Sequence, residues 1–228
     1  MALILNIDTS IDSAEVSLAK DGVLLMSETN AEPKNHGSFL QIAIKNILSS
    51  TNTAVNTLDA VAVANGPGSY TGLRVGLASA KGLCFTLNKP LITISTLEIL
   101  ARTTKQQFVL NNNYLFCPMI DARRMEVFTA MYNYNIDQVL PTQAMILDET
   151  SFAQQLDEQV IVFSGNGSHK LKNIINHPNA LFANLETPNK IAATIAISEA
   201  KYLIKKFDNL AYSEPYYVKD VFFAEKSK

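Results

Sequence analysis

Asn65-Gly66-Pro67-Gly68-Ser69-Tyr70-Thr71-Gly72-Leu73-Arg74 joins a Val-rich run to a nearly uncharged apolar stretch, and the reading of this joint decides the fold. Before it, Leu58 to Ala64 (LDAVAVA) is short and uncharged after Asp59, as a strand covered on both faces should be. After it, Thr71 to Leu87 carries apolar side chains on several faces. Its two charges, Arg74 and Lys81, lie seven apart and so share one stripe, which predicts a helix buried on more than one side. Gly72, Gly76, Ser79 and Ala80 put small residues about one turn apart and so invite another backbone to come close.

Upstream of the joint, Ala2 to Ile7 is an apolar run ending at Asp8. Ser13 to Lys20 then alternates, and Asp21-Gly22 turns the chain into a third run, Val23 to Ser27, which together predict a three-stranded meander. Glu28 to Gly37 reads as loop, and Leu40, Ala43, Ile44, Ile47 and Leu48 mark an amphipathic helix over Gly37 to Ser50. Downstream, Pro90 to Ser95 reads as a strand and Thr96 to Gln106 as a helix capped by Ser95 or Thr96.

A polar stretch from Gln106 to Asn113 separates this half from a second that restarts the plan. Leu115 to Ile120 is an apolar strand ending at Asp121, and Glu126-Val127 opens the next strand as Glu15-Val16 does in the first half. A strand over Val139 to Leu147, a helix over Glu149 to Gln155 and a buried strand over Val160 to Phe163 follow. That last strand runs into Gly165-Asn166-Gly167-Ser168, a copy of Gly66-Pro67-Gly68-Ser69. Internal repetition at this scale predicts an α/β fold of two duplicated βββαβα-type subdomains, 1–106 and 107–228. Lys190 to Phe207 is a further helix with a charged face. Glu214 to Val218 is an extended terminal piece that could pack back on the first half, and Glu225 to Lys228 is expected to fray.

Composition narrows the function classes. The chain has 228 residues, 47% of them hydrophobic, which is enough for a sizeable core. A formal charge of −2 with scattered Lys and Arg gives no global attraction to phosphate backbones, so nucleic acid would be met only indirectly. Cys84 and Cys117 make no disulfide framework and fit a reducing cytoplasm. The opening MALILNIDTS reads as a strand rather than a signal peptide, and no run is apolar enough to span a membrane.

The joint's backbone amides could cradle a phosphate, but Leu73-Arg74 stand where a P-loop places Lys and Ser or Thr. Packing, with Ser69 or Thr71 as helix cap, is the simpler role. Asp8 and Asp121 each end a first strand, where a carboxylate can either serve chemistry or bond its own turn. Only His36, His169 and His177 are available as imidazole ligands, which is too few for a metal site, and no nucleophile motif stands out.

Two such halves, each with an Asp at its first hairpin and a glycine turn after its fourth strand, resemble the actin-like ATPase (ribonuclease H-like) fold. More narrowly, Ile7-Asp8-Thr9-Ser10, the block Asn65 to Gly76, Ala80-Lys81-Gly82-Leu83 and Ile120-Asp121-Ala122-Arg123 are similar to the TsaB family, also called YeaZ. That resemblance implies a non-catalytic subunit of the bacterial machinery that adds threonylcarbamoyl to the adenosine next to the anticodon in tRNA. It implies a catalytic paralogue, TsaD, and a small ATPase subunit, TsaE, as partners, and a homodimer when the chain is alone. The catalytic subunit's His-x-x-x-His pair is absent here, because Leu40 stands four residues after His36.

On this reading Leu40, Ile44, Gly72, Leu73, Gly76, Leu77, Ala80, Leu83 and Cys84 form the partner interface. Asp8, Thr9, Ser10, Gly66, Gly68, Ser69, Asp121, Gly165 and Gly167 form a vestigial nucleotide site, with no catalytic residue, no metal and no cofactor beyond weak adenine-nucleotide binding. The hairpin Thr9 to Ser13 lacks the glycines of the superfamily's phosphate loops, and Asp12 adds negative charge. The alternatives are an active actin-like ATPase or kinase using Asp8 and Asp121 and, from a label given to relatives, a metallopeptidase.

Overall fold

The computed structural model describes residues 2–30, 36–108, 113–183 and 189–219. The first half builds β1 (Leu3–Asp8), β2 (Ala14–Lys20), β3 (Val23–Asn30), α1 (His36–Ser50), β4 (Ala60–Gly66), α2 (Tyr70–Leu87), β5 (Leu91–Ser95) and α3 (Thr96–Gln107). The second builds β6 (Leu115–Asp121), β7 (Glu126–Tyr132), β8 (Gln138–Ile146), α4 (Ala153–Glu158), β9 (Ile161–Ser164), α5 (Ser168–Lys172), β10 (Ala180–Phe182) and α6 (Ile191–Leu203). The two sheets run β3-β2-β1-β4-β5 and β8-β7-β6-β9-β10, the same order twice. In each, the first three strands are antiparallel and the last two join in parallel.

The alternation in β4 explains how the first sheet is covered. Val61 and Val63 face the core shared with α1 and α2, with Leu5, Ile7, Leu40, Ile47 and Leu77. Ala60, Ala62 and Ala64 face the other way, and their small side chains let the helices of Ile99, Ala193 and Ile197 approach. Helix α3 serves both halves: Ile99 packs under the first sheet, while Leu97, Leu100 and Ala101 pack on Phe116, Ile120 and Val162 of the second. Helix α6 follows the second sheet in sequence but packs on β1, β3 and β5 of the first. The chain beyond it stays there, with Asp208 N–H donating to Leu91 C=O at 2.9 Å and Tyr216 N–H to Asn65 C=O at 2.7 Å.

Several boundaries differ from the sequence reading. Strand β3 runs on to Asn30, beyond Ser27. Helix α4 starts at Ala153 rather than Glu149, because Asp148 holds Thr150 and Ser151 in a turn of their own. Helix α6 stops at Leu203, short of Phe207. Strand β10 and helix α5 carry no sequence signal, being three and five residues long and too short to show a period. The expected fraying of 225–228 and the 31–35 part of the expected loop lie outside the described residues, as do 109–112 of the polar boundary.

The two hairpins are also out of step by one residue. Asp8 pairs with Glu15, whereas Asp121 pairs with Val127. Glu15 therefore lies inside the first half and Glu126 at the edge of the second.

Candidate functional site

Between the halves lies a cleft of about 850 Å³, lined by Ser10, Ile11 and Asp12 from the first hairpin and Gly68 to Thr71 from the glycine joint. Ile120 to Arg123, Phe128, Asn166 and His169 line it from the second half. The joint is a packing device. A Cβ on Gly68 would run into the Ser10 carbonyl, and one on Gly72 into the Thr9 carbonyl. The close approach lets Ser69 N–H donate to Ser10 C=O at 2.7 Å and Thr9 Oγ1 donate to Gly72 C=O at 2.7 Å. Ser69 Oγ accepts from Gly72 N–H at 3.2 Å and caps α2. Part of what a phosphate would need at this helix start is thus used by the protein itself. The repeat at Gly165 and Gly167 has the same purpose: Cβ atoms there would meet Met119 and Val127.

The two strand-end carboxylates behave alike. Asp8 is 2% exposed and bonds Lys190 Nζ at 2.5 Å through one oxygen, while Ser10 N–H donates to the other at 2.9 Å. Burial alone would push the Asp8 carboxyl up, but the charge and hydrogen bond of Lys190, with Ser10, hold it below the usual carboxylate range. Asp121 is tied to Lys170 Nζ at 2.6 Å, and Lys170 also reaches the Glu126 carbonyl at 2.9 Å. Partial burial raises Asp121, and the Lys170 hydrogen bond with the Arg123 N–H more than offsets it. Across the cleft, Asn166 accepts from Asp121 N–H at 2.9 Å and donates to Asp12 at 2.8 Å, so one amide joins both hairpins.

Beside Asp8, Glu15 lies 3.9 Å from Lys190, and its Oε2 and the Asn6 Oδ1 are buried without hydrogen-bond partners among the described residues. Burial pushes Glu15 up to about 7, against the pull of Lys190, and the charge of Asp8 adds to the rise. Among the described residues, no three His, Cys, Asp or Glu side chains gather in a way that could hold a metal ion.

The expected nucleotide site is thus divided. Ser10, Gly68, Ser69 and Asp121 line the cleft; Asp8 and Thr9 are inside the protein, Gly66 packs on Tyr216, and Gly165 and Gly167 pack on the second sheet. The expected partner face needs a larger correction. Leu40, Ile44, Gly72, Leu73, Gly76, Leu77, Ala80 and Cys84 are buried in the chain's own core, and Leu83 is half-buried. The breadth of apolar surface on α2 is used up by the sheet and α1. What α2 leaves in solvent includes Tyr70, Thr71, Arg74, Ala78, Gly82, Thr86 and Phe85, the last 81% exposed.

The charged stripe of α2 has another use. Arg74 Nε donates to Tyr217 Oη at 3.0 Å and its guanidinium lies 4.3 Å over the Tyr70 ring, while Lys81 donates to the Ser213 carbonyl at 3.0 Å. The extended tail is seated there. Lys190, Lys170, Asn166 and the tail tyrosines went unrecognised in the sequence, since a lysine opening a helix with a charged face looks solvated.

The family model for TsaD, tRNA N6-adenosine threonylcarbamoyltransferase, matches residues 30–224. The Bacillus subtilis tRNA threonylcarbamoyladenosine biosynthesis protein TsaB is 31% identical over 175 residues, covering 75% of this chain and 74% of the relative. The Escherichia coli protein of the same name is 33% identical over 129 residues, 57% of this chain and 54% of its own length. Among solved structures, YeaZ from Pseudomonas aeruginosa superposes with a TM-score of 0.77 at 25% identity, covering 95% of this chain and all of that one. A second structure from the same organism, described as similar to the peptidase YEAZ, reaches a TM-score of 0.83 at 22% identity over 96% of this chain and all of its own, and shares the fold.

Proposed function

This chain belongs to the TsaB family of tRNA threonylcarbamoyladenosine biosynthesis proteins, within the wider group that the TsaD model describes, and from that membership we propose that it acts as a non-catalytic partner of the threonylcarbamoyl-transferring subunit. The observation that carries the reading is the buried Asp8–Lys190 pair at 2.5 Å. The carboxylate that an actin-like ATPase would offer to a metal-bound water or phosphate is neutralised by a lysine of the same chain and closed off from the cleft. The chain then works without a cofactor of its own, and the cleft takes adenine nucleotide weakly at most.

Partner binding falls to the outer face of α1 and α2. Gln41 and Lys45 of α1 are exposed beside Ala78, Gly82 and Phe85 of α2, and Gln41 Nε2 donates to Ser79 Oγ at 2.9 Å, which fixes one helix against the other. Small residues with one exposed aromatic suit a close helix-on-helix contact with TsaD, or with a second copy when TsaD is absent. TsaE joins through that assembly, and the work takes place in the cytoplasm. Among the described residues no helix is long and apolar enough to cross a membrane.

The test is co-elution of the chain with TsaD from the same cell. A Cβ on Gly82 meets nothing within 4 Å and Phe85 is largely in solvent, so Gly82→Arg and Phe85→Asp should fold normally. Loss of the complex in both, at unchanged melting temperature, is the expected result. Undiminished co-elution would remove the α1–α2 face from consideration.

A further inference from the structure

The β6–β7 hairpin carries a feature that the partner-subunit reading does not use. Arg123 (φ 72°) and Arg124 (φ 47°) are successive non-glycine residues in the left-handed region, at a turn closed by Glu126 N–H donating to the Arg123 carbonyl at 3.0 Å. Glycine or asparagine would be the ordinary occupants of such positions. Holding two bulky residues there strains the backbone, and strain of this kind gathers at functional sites.

Both arginines are exposed, and Arg123 lines the mouth of the cleft with His169, the second residue of α5. The neighbouring acids are occupied: Asp121 by Lys170 and Glu126 by Lys219. Among the described residues, neither guanidinium has a carboxylate within 4 Å. Asp12, across the cleft, is held by Asn166. A chain with a net charge of −2 thus presents two guanidinium groups without a carboxylate partner at one hairpin tip, beside the cleft, and holds its backbone in the left-handed region to do so.

We propose that this hairpin tip, with Arg123 and Arg124, docks the phosphate backbone of RNA. The proposal rests on the reading of the chain as a subunit of a tRNA-modifying assembly, and it adds a direct RNA contact that the overall charge does not suggest. Guanidinium groups on a hairpin tip suit phosphate oxygens, which they bond in pairs. Contacts of this kind position an RNA without reading its sequence.

The experiment uses the full chain with TsaD and an unmodified tRNA transcript that has adenosine next to its anticodon, with binding followed by fluorescence anisotropy across a salt series. Arg123→Asn/Arg124→Gly removes both cations and supplies the residues that the turn prefers, so the fold should be kept or strengthened. Arg123→Lys/Arg124→Lys keeps the charge. The expected result is weaker binding for the first variant, with the slope of log K against log salt shallower by roughly one per arginine, and a near-normal slope for the second.

Unchanged affinity and slope in the Asn/Gly variant, with the TsaD complex intact, would overturn the proposal and leave the partner reading standing. Loss of the TsaD complex itself in that variant would also overturn it, by showing that the hairpin tip meets protein. Failure of the unaltered chain to form the complex would count against the partner reading instead.

Discussion

Lys190, the residue that opens the last helix, reaches 2.5 Å from Asp8 at the end of the first strand, and neither side chain is more than 2% exposed. The pair fastens α6 to the hairpin that packs on the glycine joint. Removing the lysine strands two carboxylates, Asp8 and Glu15, in the core; removing the aspartate still leaves Lys190 with Glu15 at 3.9 Å. Lys190→Met should therefore destabilise by about 3–5 kcal/mol, and Asp8→Asn by less. Urea denaturation checks the order, and equal losses would show that Glu15 gives no compensation.

Glu15 makes the stability fall as pH rises. Its folded value of about 7 lies above the ordinary 4.5, so between these limits the native state holds a proton that the unfolded chain has released. Stability drains away across that window, by about 3 kcal/mol at full extent, and levels off above it. Asp8, held low, acts oppositely: its contribution is present above its ordinary 3.8 and is lost as pH falls through the depressed value. Glu15→Gln should flatten the curve between pH 4.5 and 7 and raise stability at pH 8. An unaltered pH profile in the variant would mean that Glu15 is already ionised in the folded protein.

Gly68 and Gly72 each give room to a backbone carbonyl of the first hairpin, and carbonyls cannot rotate aside as a side chain can. Alanine at either site should cost about 1–3 kcal/mol, the usual range for overpacking, although alanine is the better helix former at position 72. Gly82→Ala, on the open side of the same helix, should be neutral or stabilising. Thermal melts of the three variants separate packing from propensity. A stabilised Gly72→Ala would show that the hairpin yields.

The legible parts of this fold were those written as local patterns. The repeated Ile-Asp strand end, the Glu-Val strand start and the glycine turn marked the duplication, and the LDAVAVA alternation marked a strand covered on both faces. What stayed hidden depends on distant pairing. Nothing in KIAATIAISEAKYL says that its first lysine is the buried one, because burial of Lys190 follows from Asp8, 182 residues away. The apolar breadth of α2 suggested a partner face, while α1, β4 and the sheet absorb it. The shared stripe of Arg74 and Lys81 gave no sign that the tail, more than 120 residues on, would bond to both.

The locked Asp8 bears on nucleotide binding. Calorimetry of the isolated chain with Mg-ATP should give no saturable binding in the micromolar range, because Asp8 is taken and the Ser69 amide is used by Ser10. Micromolar binding abolished by Asp8→Ala would instead favour an active ATPase.

Gly66 sets the position of the tail. Its φ of +120° is open to glycine almost alone, and a Cβ there would sit 2.6 Å from the Tyr216 carbonyl, beside the bond from Tyr216 N–H to Asn65 C=O. No residue from Asn209 to Lys219 is buried, so the tail is held by a few surface contacts. Segments so held open locally at low cost. Gly66→Ala should push the tail off the end of β4 and break its bonds to Arg74 and Lys81. Hydrogen exchange over 208–219 should quicken well beyond any change in β1 or β6, whose amides report global opening. Arg74→Ala, which removes both the Tyr217 bond and the contact with Tyr70, should quicken the same segment without straining the backbone. If exchange in the tail rises only in step with that of the core strands, the tail is part of the cooperative unit and Gly66 supports the whole first sheet rather than the strap laid across it.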